Sequence, residues 1–220
     1  MTTASRRSPW VGRALAAPVT LLAAGTSSSD IAAAQTAASI ENLAITAYGD
    51  VARLSAVQSL PSQARLTIAT FFAGAAQHHA DHLTAFNAAA TRLGAKVQTA
   101  SDTALASSVL QPALASASTA AQLLGVLAQL ELIAAETYAA QVVVVTDRQL
   151  RNSLATITGV EGQHSAVLLA AASLIDDAMP DLLPFPWAAA GLPETVATAG
   201  IPSAFLRSDQ ARSPTEGAVR

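Results

Sequence analysis

The chain has 220 residues, of which 51% are hydrophobic, 4% aromatic and 12% charged. This composition favours closely packed helices and does not favour disorder, which requires low hydrophobicity and high charge. A net charge of −3 supplies no basic surface for nucleic acid. The absence of cysteine excludes disulfides, thiolate catalysis and cysteine-ligated metal sites.

The first 29 residues are predicted to be an export signal and flexible leader. Arg6, Arg7 and Arg13 precede an apolar run over residues 14–24, which is too short to span a bilayer. We therefore expect export by the Sec or twin-arginine route to the periplasm, the cell envelope or the exterior. The alternative is a disordered basic tail. No later segment is predicted to span a membrane, because polar or charged residues interrupt each apolar stretch.

Four long helices are predicted next, and they define a bundle over residues 30–177. Their spans are 30–59, 62–93, 119–145 and 147–177, with Asp30 and Asp147 as N-caps of the first and last. The connections are short, long and short, which indicates an antiparallel four-helix bundle with one long crossover. The crossover, residues 95–118, contains Pro112 and is predicted to hold a short helix over residues 104–110.

The remaining residues, 178–220, form a tail with six prolines, which rules out another long helix. The tail is predicted to be irregular and to pack on the bundle. Its proposed anchors are Phe185, Trp187 and Phe205.

Two of the predicted helices carry histidine on their core stripes. In the fourth helix, Glu161 and His164 occupy the middle of a stripe of apolar residues spaced three and four apart. In the second, His79 and His82 take the equivalent positions. All four histidines of the chain lie in these two segments. The fourth, His78, is about 100° from His79 around the helix and is predicted to face the flank or solvent, with a place at the edge of the site as the alternative.

The other two helices each supply a single core carboxylate. Glu41 and Tyr48 on the first helix have the same spacing as Glu131 and Tyr138 on the third, which indicates an internal duplication. The tyrosines are predicted to be core aromatics with hydrogen-bonded hydroxyls. Helix lengths place the carboxylates and histidines at one level of the bundle, to within about one turn. Glu136 is predicted to lie on a solvated face.

These positions carry a family resemblance. Over about residues 30–175 the sequence resembles a bacterial exported ferritin-like protein. The resemblance implies a carboxylate-bridged two-metal site with one Glu from each of two helices and Glu-x-x-His from the other two. The matching residues are Glu41, His82, Glu131, Glu161 and His164. His79 departs from the pattern, because the family has a bridging Glu there.

The departure at His79 lowers the expected metal content. Three carboxylates cannot neutralise two divalent ions unless another anion joins, and one imidazole nitrogen serves one ion. We therefore expect at most one tightly held ion, and a site with two ions is the alternative. Ligands of this kind suit iron or another transition metal, such as zinc, copper or nickel, better than magnesium or calcium. A buried network of hydrogen-bonded Glu and His without metal is the competing interpretation.

The sequence thus predicts a metal-binding, iron-type protein of the cell envelope, with a degenerate di-metal site and weak or no oxidase activity. The alternative is a non-enzymatic scaffold or partner-binding protein with a metal-free polar core. We expect no nucleotide cofactor, no nucleic-acid partner and no stable membrane span after signal removal. A homodimer is compatible with these expectations. The residues do not decide between an enzyme and a binding protein.

Overall fold

The computed structural model of the chain describes residues 26–180, 183 and 204–205. All regular secondary structure among these residues is helical. The helices are α1 (Thr26–Arg53), α2 (Ser55–Gln58), α3 (Ser62–Arg92), α4 (Thr103–Leu105), α5 (Gln111–Ser116), α6 (Ala120–Val144) and α7 (Arg148–Asp176). The leader up to residue 25 and two proposed tail anchors, Phe185 and Trp187, lie outside the described residues.

The first predicted helix is divided in the structure. Leu54 has an extended backbone, with φ −68° and ψ 140°, so helical hydrogen bonding stops at Arg53 and resumes in the short α2. The start also differs, because α1 begins at Thr26, within the segment assigned to the leader. At the end of α3, Gly94 takes φ +86°, a left-handed conformation that glycine adopts without strain and that commonly ends helices.

The crossover between α3 and α6 is more helical than predicted. A π-helical turn over Ala106–Leu110 joins α4 to α5, so helical backbone continues to Ser116. Pro112 lies in the first turn of α5, where a missing N–H is tolerated. The crossover is attached to α1, since the backbone N–H of Asp102 donates to the Ser39 carbonyl.

The four long helices pack as two hairpins. Helix α1 packs along α3 and α6 along α7, and the hairpins meet through α1 with α6 and α3 with α7. Two apolar clusters fill the interior. One includes Phe71, Leu124 and Leu168, and the other includes Phe86 and Ile157. The predicted all-α four-helix bundle is therefore confirmed.

The turn between α6 and α7 is held by two aspartates. Asp147 caps α7 by accepting from the Leu150 N–H and forms two hydrogen bonds of 2.8 and 2.7 Å with Arg92 at the end of α3. Asp30 is buried and accepts from Thr146 N, Thr146 Oγ1 and Asp147 N at 2.7–3.0 Å. The Asp147 cap matches the prediction. Asp30 instead lies inside α1 and stabilises a distant turn.

Helix α6 is the one described helix that is long and apolar enough, by length and composition, to cross a membrane. Half of its most apolar 18-residue window is buried within the bundle. It also carries the buried Glu131. Core helices of soluble bundles share this length and composition, so the finding is weak evidence for a membrane span.

Candidate metal centre

The six residues predicted to form a site meet in the middle of the bundle. They come from all four long helices, and each is at most 1% exposed. They are Glu41 of α1, His79 and His82 of α3, Glu131 of α6, and Glu161 and His164 of α7. Core stripes of small and apolar residues carry these side chains inward, which is why six ionisable groups share one buried layer.

Four of these residues form a first ligand group, Glu41, His79, His82 and Glu161. The Nδ1 atom of His79 lies 2.7 Å from a Glu41 carboxylate oxygen. The Nδ1 atom of His82 lies 2.9 Å from Glu161 Oε1 and 3.6 Å from Glu41 Oε2. One nitrogen or oxygen from each of the four residues fits within a mutual distance of 4.8 Å, which is compact enough to surround one metal ion.

A second group shares two members with the first and consists of His79, Glu131, Glu161 and His164. Here His79 uses its other nitrogen, Nε2, which lies 3.1 Å from Glu131 Oε1. The Nδ1 atom of His164 lies 3.1 Å from Glu161 Oε2 and 3.7 Å from Glu131 Oε2. The potential ligand atoms of this group also lie within 4.8 Å of one another.

The two tyrosines form a reciprocal pair of hydrogen bonds with the carboxylates. Tyr138 of α6 donates to Glu41 of α1 at 2.7 Å, and Tyr48 of α1 donates to Glu131 of α6. Burial, followed by the negative charge of the carboxylates, raises the pKa of both tyrosines well above the usual value. They act as neutral donors, in agreement with the prediction of hydrogen-bonded core tyrosines. The reciprocal hydrogen bonding between α1 and α6 agrees with the internal duplication.

Protons balance the charge of the cluster when no cation is bound. Burial opposes ionisation of Glu41, but hydrogen bonds and charge from His79 and His82 outweigh it and lower its pKa to about 2. Burial likewise opposes protonation of His82, yet the carboxylates of Glu161 and Glu41, which accept from the protonated ring, raise its pKa to about 10. The pKa of Glu161 is raised, first by burial and then by the charge of Glu41. The cluster therefore holds protonated imidazoles beside carboxylates at neutral pH.

His78 was wrongly predicted to face the flank or solvent. It is buried, and its Nδ1 lies 3.0 Å from Nε2 of His164, with the two rings stacked at 5.2 Å. Burial, and then the proximity of His164, lowers the pKa of His78 to about 4, so it is neutral at pH 7. Helix α3 packs against α7, and a residue about 100° from the central stripe can face that neighbour. The sequence signal was the position of His78 beside the central stripe of α3, on the side that can contact a neighbouring helix.

The chain beyond the bundle contributes a contact that helical periodicity could not predict. The backbone carbonyl of Ala204 accepts a hydrogen bond of 2.6 Å from Nε2 of His82. The ring of Phe205 meets the His82 ring edge-to-face at 5.5 Å. Phe205 is thus one proposed anchor that does contact the bundle. Leu183, another part of this chain segment, is fully buried against Phe71 and Leu168.

Buried polar atoms that lack a well-aligned hydrogen bond indicate whether the cluster fits a cation. Among the described residues, the buried atoms without a well-aligned hydrogen bond include His82 Nδ1, Glu131 Oε2 and Glu161 Oε1, although His82 Nδ1 and Glu161 Oε1 lie 2.9 Å apart as an ion pair. All three belong to the two ligand groups. Buried polar atoms are normally satisfied, because an unsatisfied one costs about 1–3 kcal/mol. A metal ion would satisfy all of them, so the residues present fit one.

Comparison with known proteins agrees with this architecture. A family profile described as a ferritin-like domain matches residues 29–173, which include α3, α6, nearly all of α1 and α7, and every residue of the cluster. Searches of curated proteins and of solved structures return no match. The match covers more than half of the chain, and on this evidence the chain belongs to the ferritin-like domain family.

Proposed function

We propose that this protein binds a transition-metal ion in the buried layer formed by its three Glu and three His. The observation that carries the proposal is the pair of buried ligand groups, each of which brings one potential ligand atom from four Glu and His residues to within 4.8 Å of one another. A stable core does not require such a cluster, because well-packed apolar residues would be at least as stabilising as buried ion pairs.

The ligand types narrow the class of metal. Imidazole nitrogens combined with carboxylate oxygens suit iron, zinc, copper and nickel, whereas magnesium and calcium prefer oxygen ligands alone. Iron is our first candidate because of the family. A bound ion would supply Lewis acidity and, if it is iron or copper, redox chemistry. Since His79 stands where a bridging carboxylate is expected, we propose weak or no oxidase activity.

We further propose that the protein works outside the cytoplasm, in the cell envelope or beyond. The support is the arginine-containing start of the chain followed by a short apolar run over residues 14–24. Mass spectrometry of the envelope and secreted fractions should find chains that begin between about residues 25 and 35. Recovery of chains that retain Met1 from these fractions would contradict the proposal.

A specific observation supports a second function, that of a scaffold or partner-binding protein with a metal-free core. Each carboxylate of the cluster lies 2.7–3.1 Å from an imidazole nitrogen, so three imidazolium groups could balance three carboxylates without any ion. Metal content separates the two functions directly.

The experiment measures metal per chain in untagged protein, first as purified and then after incubation with ferrous iron or zinc and desalting. We expect at least one ion per chain. The Glu131→Gln variant should lose much of it, while the matched variant Glu136→Gln should not, because Glu136 is exposed on the same helix. If the natural chain holds no more metal than Glu131→Gln, and circular dichroism shows that both have intact helices, the result would support the metal-free scaffold.

A further inference from the structure

The two nitrogens of His79 face different ligand groups. Nδ1 lies 2.7 Å from Glu41 Oε2 and 3.9 Å from Glu161 Oε1, both of the first group. Nε2 lies 3.1 Å from Glu131 Oε1, of the second group. The imidazole ring thus separates the two positions where a cation could lie.

The other histidines of the ligand groups are arranged differently. Each of them turns Nδ1 toward the cluster and gives Nε2 an outer partner. His82 Nε2 donates to the Ala204 carbonyl, and His164 Nε2 pairs with His78 Nδ1. An outer partner on the second nitrogen is the usual arrangement for a histidine that binds one metal ion. His79 instead directs both nitrogens at carboxylates of the cluster.

The internal duplication places His79 at a shared position. The hairpin of α1 and α3 and the hairpin of α6 and α7 have equivalent positions: Glu41 corresponds to Glu131, His82 to His164 and His79 to Glu161. Replacing each residue of the first ligand group by its equivalent gives the second ligand group. His79 and Glu161 are the two residues common to both groups. Glu161 serves them with separate oxygens, since Oε1 faces His82 and Oε2 faces His164.

We propose that His79 bridges two divalent transition-metal ions, one on Nδ1 and one on Nε2, opposite the bridging carboxylate of Glu161. The inference rests on the proposed metal-binding function. Bridging requires His79, which is an imidazolium in the metal-free cluster, to release both of its N–H protons to solvent and become an imidazolate with one lone pair on each nitrogen. Three carboxylates and one imidazolate then carry four negative charges, which neutralise two divalent ions in a buried site where excess charge is costly.

This charge count replaces the one made from the sequence. The expectation of a single ion counted one nitrogen of His79 and three negative charges. The structure presents both nitrogens of His79 to carboxylates of the cluster, so the second nitrogen is a further potential ligand atom, and its deprotonation on metal binding would add the fourth negative charge. The loss of the family carboxylate at residue 79 is then compatible with two ions, although the ions lie farther apart.

The test uses zinc, the full chain and two variants. We expect two zinc ions per natural chain by mass spectrometry after reconstitution and desalting, and one or fewer in His79→Gln. Anomalous diffraction from zinc-loaded crystals should place the ions about 6 Å apart across the His79 ring, given zinc–nitrogen bonds of about 2.0–2.1 Å. In His79→Glu the ions should approach to about 3.5–4 Å, the usual separation in two-metal sites.

The outcomes distinguish this inference from the function on which it rests. No zinc in the natural chain would overturn the proposed function itself. One zinc would leave that function intact and overturn the bridge. Two zinc ions that persist in a folded His79→Gln chain would also overturn it. If His79→Gln does not fold, an unchanged zinc–zinc separation in His79→Glu would overturn the bridge, and a shortened one would support it.

Discussion

Without metal, the protein should lose stability as the pH rises above about 6.5. The rise in pH removes protons from the buried histidines of the cluster. The size of the resulting loss in the free energy of unfolding can be worked out for His82. Its pKa is about 10 in the folded chain and 6.5 in an unfolded one. Because folding raises this pKa, the stabilising contribution is complete below pH 6.5 and disappears as the pH approaches 10. The pKa values of His79 and His164 are raised as well, so they act in the same direction.

The expected loss is large for a single group. One imidazole with these two pKa values contributes about 3 kcal/mol less to the free energy of unfolding at pH 9 than at pH 6.5. At acid pH the dependence has the opposite direction, and the free energy of unfolding decreases as the pH falls. The pKa of Glu41 is lowered to about 2 and that of His78 to about 4, so both contributions are lost as the pH falls below their ordinary values. Stability of the metal-free protein should therefore be greatest near pH 6.5.

The assay is urea unfolding, followed by circular dichroism, at a series of pH values in the presence of a chelator. The His82→Gln variant should show a shallower decline between pH 6.5 and 9, by up to about 1.4 kcal/mol per pH unit, because one titrating proton is removed. Saturating zinc should reduce the decline in the natural chain. A free energy of unfolding that stays constant or rises over this range would refute the charge assignment of the cluster.

Two further predictions concern structural contacts. Asp30→Ala should lower the free energy of unfolding by about 3 kcal/mol, because it leaves three donors of the α6–α7 turn without their buried acceptor. Asp50→Ala, which breaks an exposed pair with Arg53, should cost less than about 1 kcal/mol, and equal losses would contradict this assignment. Phe205→Ala should speed zinc release to a chelator about fivefold, since an aromatic contact with His82 is worth roughly 1 kcal/mol. Unchanged release would show that the contact does not hold the site closed.

The bundle and its polar layer were predictable because both depend on local periodicity. Residues three and four apart share a helix face, so the stripes that contain Glu161 and His164, or His79 and His82, identified the inward-facing ionisable groups. The equal spacing from Glu41 to Tyr48 and from Glu131 to Tyr138 located the remaining carboxylates. Counting residues from the turns then placed them at one level.

Other features depend on packing between distant segments, which periodicity does not report. The contact between His82 and Ala204 joins residues 122 positions apart. The burial of His78 depends on how closely α3 approaches α7. The orientation of the His79 ring, with one nitrogen toward each ligand group, follows from the joint positions of Glu41 and Glu131. Periodicity indicates which side of a helix a ring occupies, but not the direction in which its nitrogens point.

The same geometry explains how the core can remain folded both with and without metal. Its carboxylates need positive charge nearby, and imidazolium protons supply that charge in the metal-free chain, as the raised pKa of His82 and the lowered pKa of Glu41 indicate. A metal ion would supply the same charge at the same oxygens, so the proposed uptake of metal would be an exchange for protons. The reciprocal hydrogen bonds from Tyr48 and Tyr138 involve no proton of the histidines. They can hold Glu131 and Glu41 in place through the exchange, so the ligands stay positioned whichever cation is present.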